Sequence, residues 1–97
     1  MEDTELKQSQ IYADEIAEEK EIADAIILNG VSNENEGVSA EYKYLSKKYG
    51  QQNKDWQLNN QQLIQKKGKY YDKMDITLSN GTKKTVYFDI TKFYGKY

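Results

Sequence analysis

Three carboxylates, Asp72, Asp75 and Asp89, fall within the last third of the chain. Paired carboxyls in unlike environments are the usual equipment of general acid–base catalysis, one holding a proton and the other not. Alternation places Asp75 and Asp89 on the outward face of a hairpin, near one another. An open sheet face beside lysines offers no cleft, so the expected role of all three is structural or solvated. Asp89, between Phe88 and Ile90, is expected to accept backbone N–H bonds at a turn that starts at Thr91. The chain has no His and no Cys, which removes the commonest general base, the thiol nucleophile and the commonest transition-metal ligands. The Ser-, Asn- and Glu-rich stretch 31–38 lacks the spacing of oxygen ligands in a calcium loop. The reading is of a non-enzyme: no catalytic, cofactor-binding or metal-ligating residue, and no cofactor.

A second pattern mixes aromatics with cations. Tyr70, Tyr71, Tyr87, Phe93, Tyr94 and Tyr97 interleave with Lys66, Lys67, Lys69, Lys73, Lys83, Lys84, Lys92 and Lys96. Aromatic platforms in a basic groove hold single-stranded nucleic acid without reading its sequence. Tyrosines are equally favoured anchors of protein interfaces, because they bury area and keep a polar tip. Two observations favour the interface. All fourteen cations are Lys and none is Arg, the residue best suited to phosphate. Residues 1–41 also carry twelve acids and two lysines, net −10, while residues 42–97 carry twelve lysines and four aspartates, net +8. The acidic part competes for the lysines and can attract a basic partner. The expected role is a protein–protein interaction module of the inhibitor, immunity or adaptor kind. Its candidate contact residues are Tyr71, Tyr87, Phe93, Tyr94, Tyr97 and Lys73. Polyanion or single-stranded nucleic-acid binding through the C-terminal half is the alternative.

The elements that must position these groups fit one small domain of 97 residues. Hydrophobic content is 37 % and charged content 31 %, yet nine Tyr, two Phe and one Trp can fill a core. No apolar run approaches the roughly 20 residues that span a bilayer, and no apolar leader follows the acidic N-terminus. The default expectation is the cytoplasm, and a mature exported protein would read the same way.

Residues 1–9 show no apolar period and read as frayed. Tyr12, Ile16, Ala23 and Ile27 draw a helical stripe over residues 10–30, closed by Asn29-Gly30. Residues 31–38 read as a loop. A second helix is predicted over residues 39–49, capped by Ser39, with Val38, Tyr42, Leu45 and Tyr49 as its apolar face and Gly50 ending it. Trp56, Leu58 and then Gln62 or Ile64 alternate, and a strand is predicted over residues 60–66. The Lys66–Lys69 run turns it into a second strand, Tyr70–Leu78, and Asn80-Gly81 turns that into a third, Thr85–Ile90. A three-residue loop of Asn80, Gly81 and Thr82, with a bulge, would pair Ile76 with Val86 and Met74 with Phe88, keeping apolar residues on one face. Thr91 to Gly95 form a closing turn. The fold class is α+β, two N-terminal helices packed on a three-stranded antiparallel meander over 60–97. The predicted core is Ile16, Ala23, Ile27, Tyr42, Leu45, Tyr49, Leu63, Met74, Ile76, Leu78, Val86, Phe88 and Ile90. Edge strands in so small a sheet can also pair across a dimer.

The runs Gly68-Lys69-Tyr70-Tyr71-Asp72, Asn80-Gly81, Tyr87-Phe88-Asp89-Ile90 and Phe93-Tyr94-Gly95-Lys96 resemble a group of small bacterial proteins of unknown function. The resemblance covers residues 42–97. It implies a compact domain, exported or fused in some relatives, and carries no activity.

Overall fold

The computed structural model describes residues 20–97. It is α+β, with a four-stranded mixed sheet ordered β1-β4-β3-β2. The strands are β1 (Ile26–Ile27), β2 (Trp56–Lys66), β3 (Lys69–Leu78) and β4 (Lys83–Asp89), and helix α1 (Glu34–Tyr49) lies between β1 and β2. The three-stranded meander is present, and a fourth strand adds to it. Residues 20–23 are helical, but the chain leaves the helix there. Ile26 and Ile27 instead pair in parallel with Phe88 and Asp89 of β4. The predicted helix over 10–30 therefore stops short of its expected end, because two β-branched residues find a ladder. Its part before residue 20, and the predicted core residue Ile16, lie outside the described residues.

Helix α1 begins five residues before the expected start. Asn33, not Ser39, is its cap: its side-chain oxygen accepts from the Glu36 N–H at 2.9 Å. Glu34 and Glu36 occupy the first turn, and Lys47 and Lys48 the last, each complementing the helix dipole. Gly50 ends the helix at φ 109°, and its N–H donates to the Ser46 carbonyl at 2.9 Å. Asp55 crowds the place where a side chain at Gly50 would project.

The buried residues of α1 are Gly37, Glu41 and Leu45; of the expected face, Leu45 is in the core and Tyr42 and Tyr49 pack partly buried against it. Val38 is left half-exposed. Gly37 is the reason: the Phe93 ring lies where its Cβ would be. The closing turn thus docks against the helix. The Glu34 N–H donates to the Lys96 carbonyl at 2.9 Å, and the Glu34 carboxylate accepts from the Gly95 N–H at 3.1 Å. Asp89 caps that turn as expected, accepting from the Thr91 N–H at 3.0 Å and the Thr91 hydroxyl at 2.7 Å.

The sheet buries both faces unequally. Against α1, Leu45, Trp56, Met74, Ile76, Val86, Phe88, Ile90 and Phe93 form the main core. On the opposite face Ile22, Tyr71 and Tyr87 form a smaller cluster, with Ala25 and Ile64 beside it. Of the predicted core, Ala23, Ile27 and Leu63 are exposed. Trp56, Phe93 and the outer tyrosines take their place.

Two registers differ from expectation. The β3–β4 hairpin pairs Met74 with Val86 and Ile76 with Lys84. The loop has three residues, as expected, but they are Ser79, Asn80 and Gly81, since the Leu78 N–H donates to the Thr82 carbonyl at 2.8 Å. The shift is by two residues, so every side chain keeps its face. Strand β2 starts at Trp56 rather than residue 60, and a bulge at Asn59 breaks its alternation. Trp56 and Leu58 face α1. Past the bulge the parity changes, so Gln61, Leu63 and Gln65 face that side and Ile64 turns to the other, opposite Tyr71.

Replacing Gly37 with Ala should cost about 1–3 kcal/mol of stability, because the methyl group meets the Phe93 ring. Val38→Ala, one residue on and exposed, should change stability little. Urea unfolding of the two variants checks this, and equal midpoints would show that the ring does not seat on the helix.

Candidate functional site

The candidate contact residues do not form one surface. Tyr71, Tyr87 and Phe93 are buried. Tyr71 and Tyr87 lie under Ile22 on the outer face, and Phe93 lies under α1. Lys73, half-buried, stands opposite Tyr87 with its ammonium 5.9 Å from the ring centroid. Tyr94 is stacked on Tyr70 at 4.1 Å between centroids. Tyr97 is exposed, and its hydrogen bond to Glu34 holds its phenol above the ordinary tyrosine range. Three of the six aromatic platforms expected among the lysines are thus inside the molecule. Outward strand positions looked solvent-facing because nothing in the alternation shows that a second element lies over them.

The carboxylates also regroup. Asp75 pairs with Thr85, whose hydroxyl donates to it at 2.7 Å, while Asp89 pairs with Tyr71 further along the sheet. They are not neighbours. The carboxyls that meet are Glu41 of α1 and Asp72 of β3, both buried between helix and sheet. Burial first, then the hydrogen bond to Asp72 and its charge, push the Glu41 carboxyl up from 4.5 to about 9. Glu41 therefore keeps its proton at neutral pH and faces Asp72 as the donor of their hydrogen bond. Gln61 of β2 completes the group, its amide donating to Asp72 Oδ2 at 2.7 Å. Glu41 Oε2 has no hydrogen-bond partner among the described residues. Burial of that oxygen is tolerable in a neutral acid and costly in a carboxylate. Only a partner on a distant strand reveals this site, so Glu41 reads in the sequence as one more helix-surface acid.

The group sealed under α1 presents no open face to a reactant. The exposed element beside it is β2. It closes one side of the sheet, with β3 as its only strand neighbour among the described residues. Its backbone polarity follows from the hairpin. The Leu78 N–H donates to Thr82, and the Ile90 N–H donates to the Tyr70 carbonyl at 2.9 Å. Even-numbered residues of β3 therefore aim their backbone groups at β4, and odd-numbered ones at β2. The partners of the odd-numbered residues, Gln57, Asn60, Gln62, Ile64 and Lys66, point inward. Before the bulge the Trp56 carbonyl, on the outward side, accepts from the Asn53 N–H, and Leu58 points outward; past it Gln61, Leu63 and Gln65 are left pointing outward, away from the sheet. Leu63 is 49 % exposed. Natural edges are usually blunted by Pro, by charges or by shortness. This one runs eleven residues with Lys66 as its single charge and no Pro.

No protein-family model, curated protein or solved structure matches this chain.

Two outcomes follow from the burial pattern. The raised Glu41 group means that the folded chain keeps a proton which the unfolded chain releases above about pH 4.5. Stability should therefore fall as pH rises between that value and about 9, by roughly 1.4 kcal/mol per unit at most. Glu41→Gln, which keeps a donor to Asp72, should flatten this slope in urea titrations at pH 6, 7.5 and 9; parallel profiles would show that Glu41 is not the linked group. Tyr87→Ala should cost about 3 kcal/mol or more through lost packing, read as a drop in Tm.

Proposed function

We propose that the chain is a non-enzymatic protein-interaction module that takes an extended segment of a polypeptide as an added strand on β2. One observation carries this reading: an eleven-residue edge strand whose backbone groups at Gln61, Leu63 and Gln65 have no strand partner among the described residues. Strand addition draws affinity from main-chain hydrogen bonds and specificity from alternate side chains. Here the side chains on offer are amides around Leu63 on the helix side, and Gln62 and Ile64 on the other. The buried carboxyl group supports a structural role for Glu41 and Asp72, since its members bond to one another.

Polyanion binding draws less support. The lysines do not gather in one groove. Lys66, Lys67 and Lys69 sit at the β2–β3 turn, and Lys83 and Lys84 at the start of β4. The length of β3, about 30 Å, separates them. Three of the aromatics that would stack bases are buried.

Selection of random extended peptides against the full chain tests the reading. Selected peptides should slow amide exchange at Gln61, Leu63 and Gln65. Gln65→Pro removes one outward N–H and no β2–β3 ladder bond, and should weaken them about tenfold, the worth of roughly one hydrogen bond. Peptides that protect α1 or the closing turn instead would place binding elsewhere and sink the proposal.

A further inference from the structure

The edge can be read further, resting on the proposal that β2 is the binding element. We infer that the strand it takes is β2 of a second copy, antiparallel, with a two-fold axis at Leu63. An antiparallel pair between identical strands is two-fold by nature, so the interface is isologous. An axis at a hydrogen-bonded pair passes through one of the outward residues past the bulge, Gln61, Leu63 or Gln65, whereas an axis at Gln62 or Ile64 falls on a non-hydrogen-bonded pair and matches only two of those three positions. An axis at Gln61 sets Leu63 against Asn59 in the bulge. An axis at Gln65 sets it against Lys67, in the turn where the chain adopts φ 53°. An axis at Leu63 brings the two half-exposed leucines together and places Gln61 against Gln65 of the other copy on both sides.

All three outward positions past the bulge then match. Each is a closely bonded pair exchanging two N–H···O bonds, about six in all. On the other face Gln62 meets Ile64 of the second copy, and Lys66 meets Asn60. No like charges face each other, because β2 carries no acid and its one cation lies at the strand's end. Amide side chains are both donors and acceptors, so a Gln opposite a Gln is self-complementary. The four-stranded sheet becomes one sheet of eight. The charge pattern of β2 is what commits the edge to its own copy. A strand selected for a charged foreign segment would carry complementary charge, and this one is neutral along its middle.

Light scattering of the full chain over a hundredfold concentration range, with amide exchange at both ends of that range, tests the inference. The expected result is a mass of twice 11.3 kDa at high concentration. Exchange at Gln61, Leu63 and Gln65 should be at least tenfold slower there than on dilution. Leu63→Lys, which sets two cations on the axis, should shift the mass to the monomer, while Leu63→Val should keep the dimer. A dimer whose three amides exchange fast at every concentration would overturn the inference, because the contact would lie elsewhere. A monomer throughout would also overturn it. In that case, protection of the same amides by a selected peptide would leave the edge reading standing, and its absence would take both down. Because the wild-type exchange data stand alone, a Leu63→Lys variant that failed to fold would not blunt the test.

Discussion

Helix α1 rests on the sheet over a buried pair of carboxyls, Glu41 and Asp72, whose contact is favourable while Glu41 keeps its proton. Two carboxylates in hydrogen-bond contact, away from water, repel one another, and neither has a cation to offset it among the contacts described. With one proton the pair becomes a donor and an acceptor, and Gln61 supplies a further bond to Asp72. That group ties three elements at one point: the helix, the central strand β3 and the edge strand β2. Leu45, one turn along from Glu41, enters the main core, and Gly37, one turn back, receives Phe93. The contact thus lies between the two places where the helix meets the core and the closing turn.

The bulge at Asn59 acts on the same strand from the other direction. Before it, Trp56 and Leu58 belong to the core under α1. After it, the parity change brings Gln61 into reach of Asp72 and sends Ile64 to the outer cluster. Without the extra residue, Ile64 would face α1's side and Gln61 would point away. The bulge thus sets which amide satisfies the carboxyl pair and which backbone groups of β2 turn outward. Packing on the inside and the chemistry of the edge have one local cause.

Much of the α+β layout could be read from local pattern. The alternation of Met74, Ile76, Val86, Phe88 and Ile90 placed a core face correctly, Asn80-Gly81 marked the hairpin, and Asp89 capped the turn where it was expected. What could not be read depends on partners distant in the chain. Ile26 and Ile27 look like the end of an amphipathic helix until β4 offers them a ladder. Glu41 looks solvated until Asp72 is placed beneath it. Tyr71 and Tyr87 look like contact residues until Ile22 covers them. Leu63 looks like core, yet no element among those described reaches far enough to bury it. The candidate site was therefore less legible than the fold. Its defining feature, a row of outward N–H and C=O groups, belongs to the backbone and leaves no mark in residue type except the absence of charge and Pro.

Trp56 occupies an unusual position for the chain's single indole. It is almost fully buried, stacked near Tyr42 of α1 at 6.3 Å between centroids, and its N–H donates to the Gly50 carbonyl at 2.7 Å. It touches the helix at its side and at its end, while its own backbone lies at the start of β2. The protein therefore carries a built-in optical gauge of the helix–sheet seam. Emission from this one ring reports the polarity of that seam, and light absorbed by the surrounding tyrosines is funnelled to it. Loosening of α1, by whatever cause, registers as a shift toward the red without any label attached.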